Sequence, residues 1–243
     1  MKIKNILNNT AIIGVFWSFF QQIGNQLIGF VLLIILGRIL QPEDYGLMGM
    51  IYIIFTIGDV LIDSGFSNSL IRSNKINNNH FSVVFNFNVF IGILFYLLIF
   101  IFSNSIAFFY NQPKLSMILK IYGLCLILNA FISTQQAYLV KRLEFRKIGL
   151  ISLISNIVGA VIGITFAYLK LGVWSLVSIS LSSLLVNLFL IWKFSKFKPK
   201  LFYFDLDIFK KHLNFGYKLT LTNLLDAVVS NLFNILLGKF YNS

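Results

Sequence analysis

Residues 81–108 read FSVVFNFNVFIGILFYLLIFIFSNSIAF, a run without one charged side chain. A helix needs about 20 mainly apolar residues to span a bilayer, and this run is longer. Membrane barrel strands are about 10 residues long with alternating polarity. The run does not alternate, so it reads as a helical span. The same pattern recurs on both sides, at 11–37, 45–66, 115–139, 148–169, 172–192 and 213–238. The predicted fold is an all-α integral membrane protein, a polytopic bundle of about seven transmembrane helices. The gaps are short except for 193–212.

Composition agrees. Hydrophobic residues make up 58% of the chain and charged residues 12%, with 27 Phe. A soluble domain carries about 25% charged residues. Mean hydropathy is +0.83. The single cysteine, Cys125, excludes an intramolecular disulfide and lies in an apolar run, as a buried thiol does. Lys2 and Lys4 precede an apolar run too long for a signal-peptide core, so no cleavable signal is expected.

The net charge of +12 raises the question of nucleic acid. The placement of the charge answers it. Of the 20 Lys and Arg, 15 fall in alternate gaps, on the side of Lys2, Arg72, Lys141 and Lys193. The other five are Arg38, Lys114, Lys120, Lys170 and Lys239. Cytoplasmic loops collect Lys and Arg. The basic excess is therefore a topology signal, with the N-terminus cytoplasmic and no nucleic-acid partner. The stretch 201–212 mixes Phe and Leu with Asp and Lys and reads as an interfacial helix on the cytoplasmic leaflet, or as a solvated loop. Asp205 or Asp207 is its candidate cap.

No catalytic constellation is visible, and no cofactor or metal site is expected. His80 and His212 lie at span edges without partners at metal spacing and read as interfacial residues. Polar groups inside spans are costlier and more informative. Gln21, Gln22, Asn25 and Gln26 lie at i, i+1, i+4 and i+5, so they share one side of the first span. They line a cavity or glue two helices. Asp59 and Asp63 share a face of the second span. Asp59 lies about 21 Å in from Tyr45 and Asp63 about 27 Å, at 1.5 Å per residue. Asp59 is a candidate ion-coupling carboxylate or a structural partner; Asp63 is close enough to the boundary to pair with Arg72 or Arg142. Asp226, near the middle of the seventh span, is the second ion-coupling candidate. Arg38 ends the first span, as a snorkelling cation or one presented to an anionic head group. Gly159 and Gly163 form a G-x-x-x-G packing signal.

The first and seventh spans share a faint pattern, each ending in Leu-Gly followed by a cation (Gly37-Arg38, Gly238-Lys239). A parallel six-span repeat would account for it. It divides the chain into a lobe at 1–200, a linker at 201–212 and the first helix of a second lobe at 213–243.

Three stretches carry a resemblance. They are WSFFQQ at 17–22, ILGRILQPEDYGLMGM at 35–50 and LIDSGFSNSLIR at 61–72; QQAYLVKRLEFRK at 135–147 adds to them. They resemble Wzx-type polysaccharide transporters, in the superfamily that includes lipid II flippases and multidrug-extrusion (MATE) antiporters. The resemblance implies two six-helix lobes around a partly cationic cavity and about 12 to 14 spans in all. This chain would then hold the N-terminal half. It also implies a non-enzymatic function: flipping undecaprenyl-pyrophosphate-linked oligosaccharides across the bacterial inner membrane by alternating access. These units feed O-antigen, lipopolysaccharide, capsule or exopolysaccharide assembly, with the polymerase and assembly proteins as further partners. On that reading Gln21, Gln22, Asn25, Gln26, Arg38 and Arg72 contact substrate, and Asp59 and Asp226 couple ions. The competing readings are a MATE-like cation-coupled drug antiporter and an inactive, structural half-transporter.

Overall fold

In the computed structural model the apolar runs become helices. The described residues are 2–63, 65–73 and 76–240, with the backbone alone for 2–12, 228 and 230–240. Lys75, residues 241–243 and the side chains of Lys2, Lys4 and Lys239 lie outside the described residues. The helices are α1 (Lys2–Ile39), α2 (Pro42–Asp63), α3 (Phe66–Arg72), α4 (Asn78–Phe109), α5 (Lys114–Tyr122), α6 (Leu124–Lys141), α7 (Phe145–Tyr168), α8 (Val173–Phe194) and α9 (Leu206–Phe240). Among the described residues there is no strand.

Among the described residues, six segments are long and apolar enough to cross a membrane: Ile13–Ile39, Pro42–Arg72, Asn78–Phe109, Lys114–Lys141, Phe145–Tyr168 and Val173–Phe194. They coincide with the first six predicted spans. The chain is an all-α polytopic membrane protein. Its helices bury Ile51, Ile62, Leu115 and Leu126 inward and present Phe90, Ile101, Phe102 and Phe108 outward. Lipid solvates such an outer face, and the helical backbone satisfies its own hydrogen bonds there.

Two segments differ from expectation. The fourth span is two helices, α5 and α6, meeting at Gly123, where a Cβ would lie 2.9 Å from the Tyr96 ring. The second difference is at 201–212, where no separate interfacial helix forms. α9 starts at Leu206 and continues unbroken past His212. The Asp205 carboxylate caps it, accepting from Asp207 N at 3.0 Å and Ile208 N at 3.1 Å. No Gly or Pro interrupts 206–215, and burial of His212 at 1% exposure pins the first turns to the bundle. The seventh predicted span, 213–238, lies within α9, and most of its second half is described by backbone alone.

α7 packs on α8, α1 on α7, α4 on α6 and α2 on α9. Gly159 and Gly163 make the α7–α8 approach possible, since a Cβ on either would overlap Ser183 or Ile179.

The ends of α3, α6 and α8 and the starts of α4, α7 and α9 gather at one end of the bundle, here called the basic end. Short α3 is clamped there. Asp63 accepts hydrogen bonds from the hydroxyl and backbone N–H of Ser67 in the first turn of α3. Lys141 Nζ donates to the carbonyls of Leu70 (3.2 Å), Ile71 (2.6 Å) and Ser73 (2.5 Å) at its other end. An acid at the N-terminus and a cation at the C-terminus both oppose the helix dipole. Asp63 thus binds Ser67 rather than Arg72 or Arg142. Gly65 turns the chain between α2 and α3 at φ 65°, and a Cβ there would sit 2.6 Å from the Gly216 carbonyl of α9. Phe66, fully buried, then packs edge-on to Phe87 at 5.0 Å.

Candidate functional site

Beside the buried face of α2, Tyr52, Thr56, Asp59 and Asp63 form a polar face that opens a cleft, and Asp59 itself is exposed in it. Asp59 projects from α2 into two adjoining cavities of about 350 and 300 Å³, which share Phe55, Asp59 and Tyr122. Asn129 of α6 donates to Asp59 Oδ1 at 2.9 Å. Tyr122 of α5 donates to Ser180 Oγ of α8 at 3.3 Å. Asn156 of α7, Ser183 of α8 and Asn223 of α9 complete the polar wall. Each comes from a helix whose other faces are apolar, so together they form a hydrophilic seam at the depth of the spans. Polar groups at that depth are tolerated where they line a cavity or pair with one another. The seam offers hydroxyls, amides and two carboxylates, Asp59 and Asp63. That set donates to and accepts from a polyhydroxylated ligand.

The first-span amides divide. Asn25 faces α7, donating to Ser152 Oγ at 3.0 Å and accepting from Asn156 Nδ2 at 2.9 Å. Gln21 lies against Gly149 of α7. Gln22 and Gln26, about 100° further round the helix, are exposed. Asn25 therefore glues α1 to α7 and reaches the cleft only through Asn156.

The cations are far apart. Arg38 is exposed at the end of α1, and Arg72 is exposed at the end of α3. All of α2 lies between these ends, about 33 Å for its length. Arg72 stacks over Phe215 of α9 at 5.4 Å. Asp226 is exposed on α9, three residues past Asn223, and the cleft lining does not include it.

His212 is buried rather than interfacial, while His80 stays part-exposed in the first turn of α4. His212 Nδ1 lies 2.7 Å from Ser69 Oγ, and its Nε2 lies 2.9 Å from His80 Nδ1. Either neutral tautomer satisfies both contacts. Burial, then the adjacent His80 and Lys211, push His212 down to about 4. Asn129 and Asn156 were visible as amides within spans, but only the fold brings them to Asp59.

The stretches that carry the resemblance are largely joints of the scaffold. Arg146 stacks over Trp17 at 5.4 Å. Asp44 lies against Gly172, the left-handed residue (φ 56°) that starts α8. Gln135, fully buried, holds the loop after α8 by accepting from Ser195 Oγ at 2.6 Å and donating to the Phe197 carbonyl at 3.3 Å. A family model described as polysaccharide biosynthesis protein matches residues 35–243, from the end of α1 onward. The chain belongs to the polysaccharide biosynthesis protein family.

Relatives within and around this family are known. The chain is 29% identical to the succinoglycan biosynthesis transport protein ExoT of Rhizobium meliloti, over 79% of this chain and 38% of that protein. It is 26% identical to the lipopolysaccharide biosynthesis protein WzxC of Escherichia coli, over 96% of this chain and 48% of that one. The teichuronic acid biosynthesis protein TuaB of Bacillus subtilis is 25% identical over 74% of the chain and 38% of its own length. The chain spans less than half the length of these relatives. No solved structure matches it.

Proposed function

We propose that this chain forms a six-helix lobe, 1–200, of a flippase for surface polysaccharide assembly. The cargo is an undecaprenyl-pyrophosphate-linked oligosaccharide, and alternating access carries it from the cytoplasmic to the periplasmic leaflet of the bacterial inner membrane. Residues 201–212 serve as the linker, although α9 begins within them, and 213–243 as the first helix of a second lobe. The basic end faces the cytoplasm, with the N-terminus, by the positive-inside rule. The lipid tail stays in the bilayer while the glycan, which hydrocarbon cannot solvate, passes the polar seam.

The observation that carries this reading is the open cleft of Asp59, Tyr122, Asn129, Asn156 and Ser180 along the polar face of α2 in an otherwise apolar bundle. The family and the names of the relatives support it. Asp59 is the coupling carboxylate in this reading, and Asp226 serves only if a second lobe encloses it. A cation-exporting antiporter would use the same Asp59, so the two readings differ in cargo. Surface glycan in a flippase-deleted strain carrying this gene, measured beside export of a cationic dye, separates them. Restored glycan without dye export supports the flippase; dye export without glycan refutes it.

A further inference from the structure

At the basic end, α3 and the first turns of α9 enclose a recess of about 340 Å³. Its lining is Ser69, Arg72, Ser73, Lys211 and Phe215, with no carboxylate. Among the described residues the ion pair is Lys147–Glu144, so neither Arg72 nor Lys211 is neutralised by direct pairing. Asp207, one turn before Lys211, stays outside ion-pair distance. The carbonyls at the end of α3 would ordinarily repel an anion. Lys141 covers them from behind. Phe215 supports the Arg72 guanidinium by a cation–π contact at 5.4 Å, which uses none of its N–H donors. Ser69 is held by His212 at 2.7 Å.

We infer that this recess is an anion site that takes a phosphate or diphosphate group. A guanidinium fork, an ammonium and the Ser73 hydroxyl match the several oxygens of such a group. The recess lies at the far end of α3 from Asp63, which lines the cleft. Seven residues of helix separate them, about 10 Å. A diphosphate held here would stand beside the mouth of the cleft, as a loading position. Anion binding stands on the geometry alone; a lipid-linked occupant rests on the transport reading.

The test is titration of the purified chain in detergent with inorganic pyrophosphate, followed by calorimetry. Farnesyl diphosphate and phosphatidylglycerol in nanodiscs follow as separate arms. Arg72→Gln and Lys211→Gln should each weaken binding about tenfold, and the pair about a hundredfold. Lys114→Gln, an exposed cation at the other end, should leave it unchanged. Melting curves confirm that the variants fold; if Arg72→Gln does not, Lys211→Gln on its exposed helix face carries the comparison. Tighter binding of farnesyl diphosphate than of pyrophosphate assigns a lipid-linked source, and the reverse assigns a soluble one. No binding at about 10 mM, equal loss in Lys114→Gln, or affinities indifferent to all three substitutions overturns the proposal. Binding that fails while surface glycan is restored removes the recess and leaves the transport reading intact.

Discussion

Lys141 Nζ donates to the Ile71 carbonyl at 2.6 Å, joining the end of α6 to the end of α3. With Leu70 and Ser73, three carbonyls share this ammonium. One of the cations that mark topology in the sequence is thus a helix cap. Lys141→Met removes all three bonds and should destabilise the chain by about 2 kcal/mol. Thermal melts in detergent would measure it, and an unchanged midpoint would show the cap to be idle.

Gly65→Ala should cost about 2 kcal/mol or more, because two penalties coincide. The backbone is left-handed, and the new Cβ would meet the Gly216 carbonyl at 2.6 Å. Gly29→Ala is the control, since a Cβ there meets nothing within 4 Å. Equal melting of the two variants would contradict the close contact of α9 with the α2–α3 corner.

His212 gives the fold a pH dependence. Its native value is about 4, below the ordinary 6.5. Between those values the unfolded chain binds more protons, so stability falls as pH falls from about 6.5 to about 4 and levels off below. The loss should be about 1–2 kcal/mol. Ser69, His80 and Lys211 surround the ring, and His212→Asn should flatten this part of the profile. A variant profile parallel to that of the unmodified chain would refute the assignment.

Asn25→Leu should lower the melting temperature, since it breaks the bonds to Ser152 and Asn156. The expected loss is about 1 kcal/mol. Gln22→Leu, exposed three positions earlier, should change nothing measurable. Equal effects would put the four amides back into one functional face.

Much of this architecture is legible in the sequence because span length and apolarity are local. The six spans and the G-x-x-x-G contact need only neighbours along the chain. The division at Gly123 is not legible because a glycine within an apolar run leaves hydropathy unchanged, and the Tyr96 ring that leaves no room for a Cβ there lies on another helix. The site was legible only in part. Asp59 stands out as a carboxylate in a span, but Asn129 is 70 positions away from it. The His80–His212 contact joins residues 132 apart, which no spacing rule reaches. Within LIDSGFSNSLIR, Gly65 and Asp63 hold the α2–α3 corner, and Asp63 also lines the cleft.

The central claim is that the Asp59 seam is the glycan path. The most direct measurement is surface glycan in a flippase-deleted strain expressing a protein that contains this chain, with Asp59→Leu, Asn129→Leu and Asn156→Leu combined. The expected result is at least about a tenfold loss of glycan at unchanged membrane abundance, as befits the loss of several substrate hydrogen bonds. Undiminished glycan from the triple variant would contradict the account.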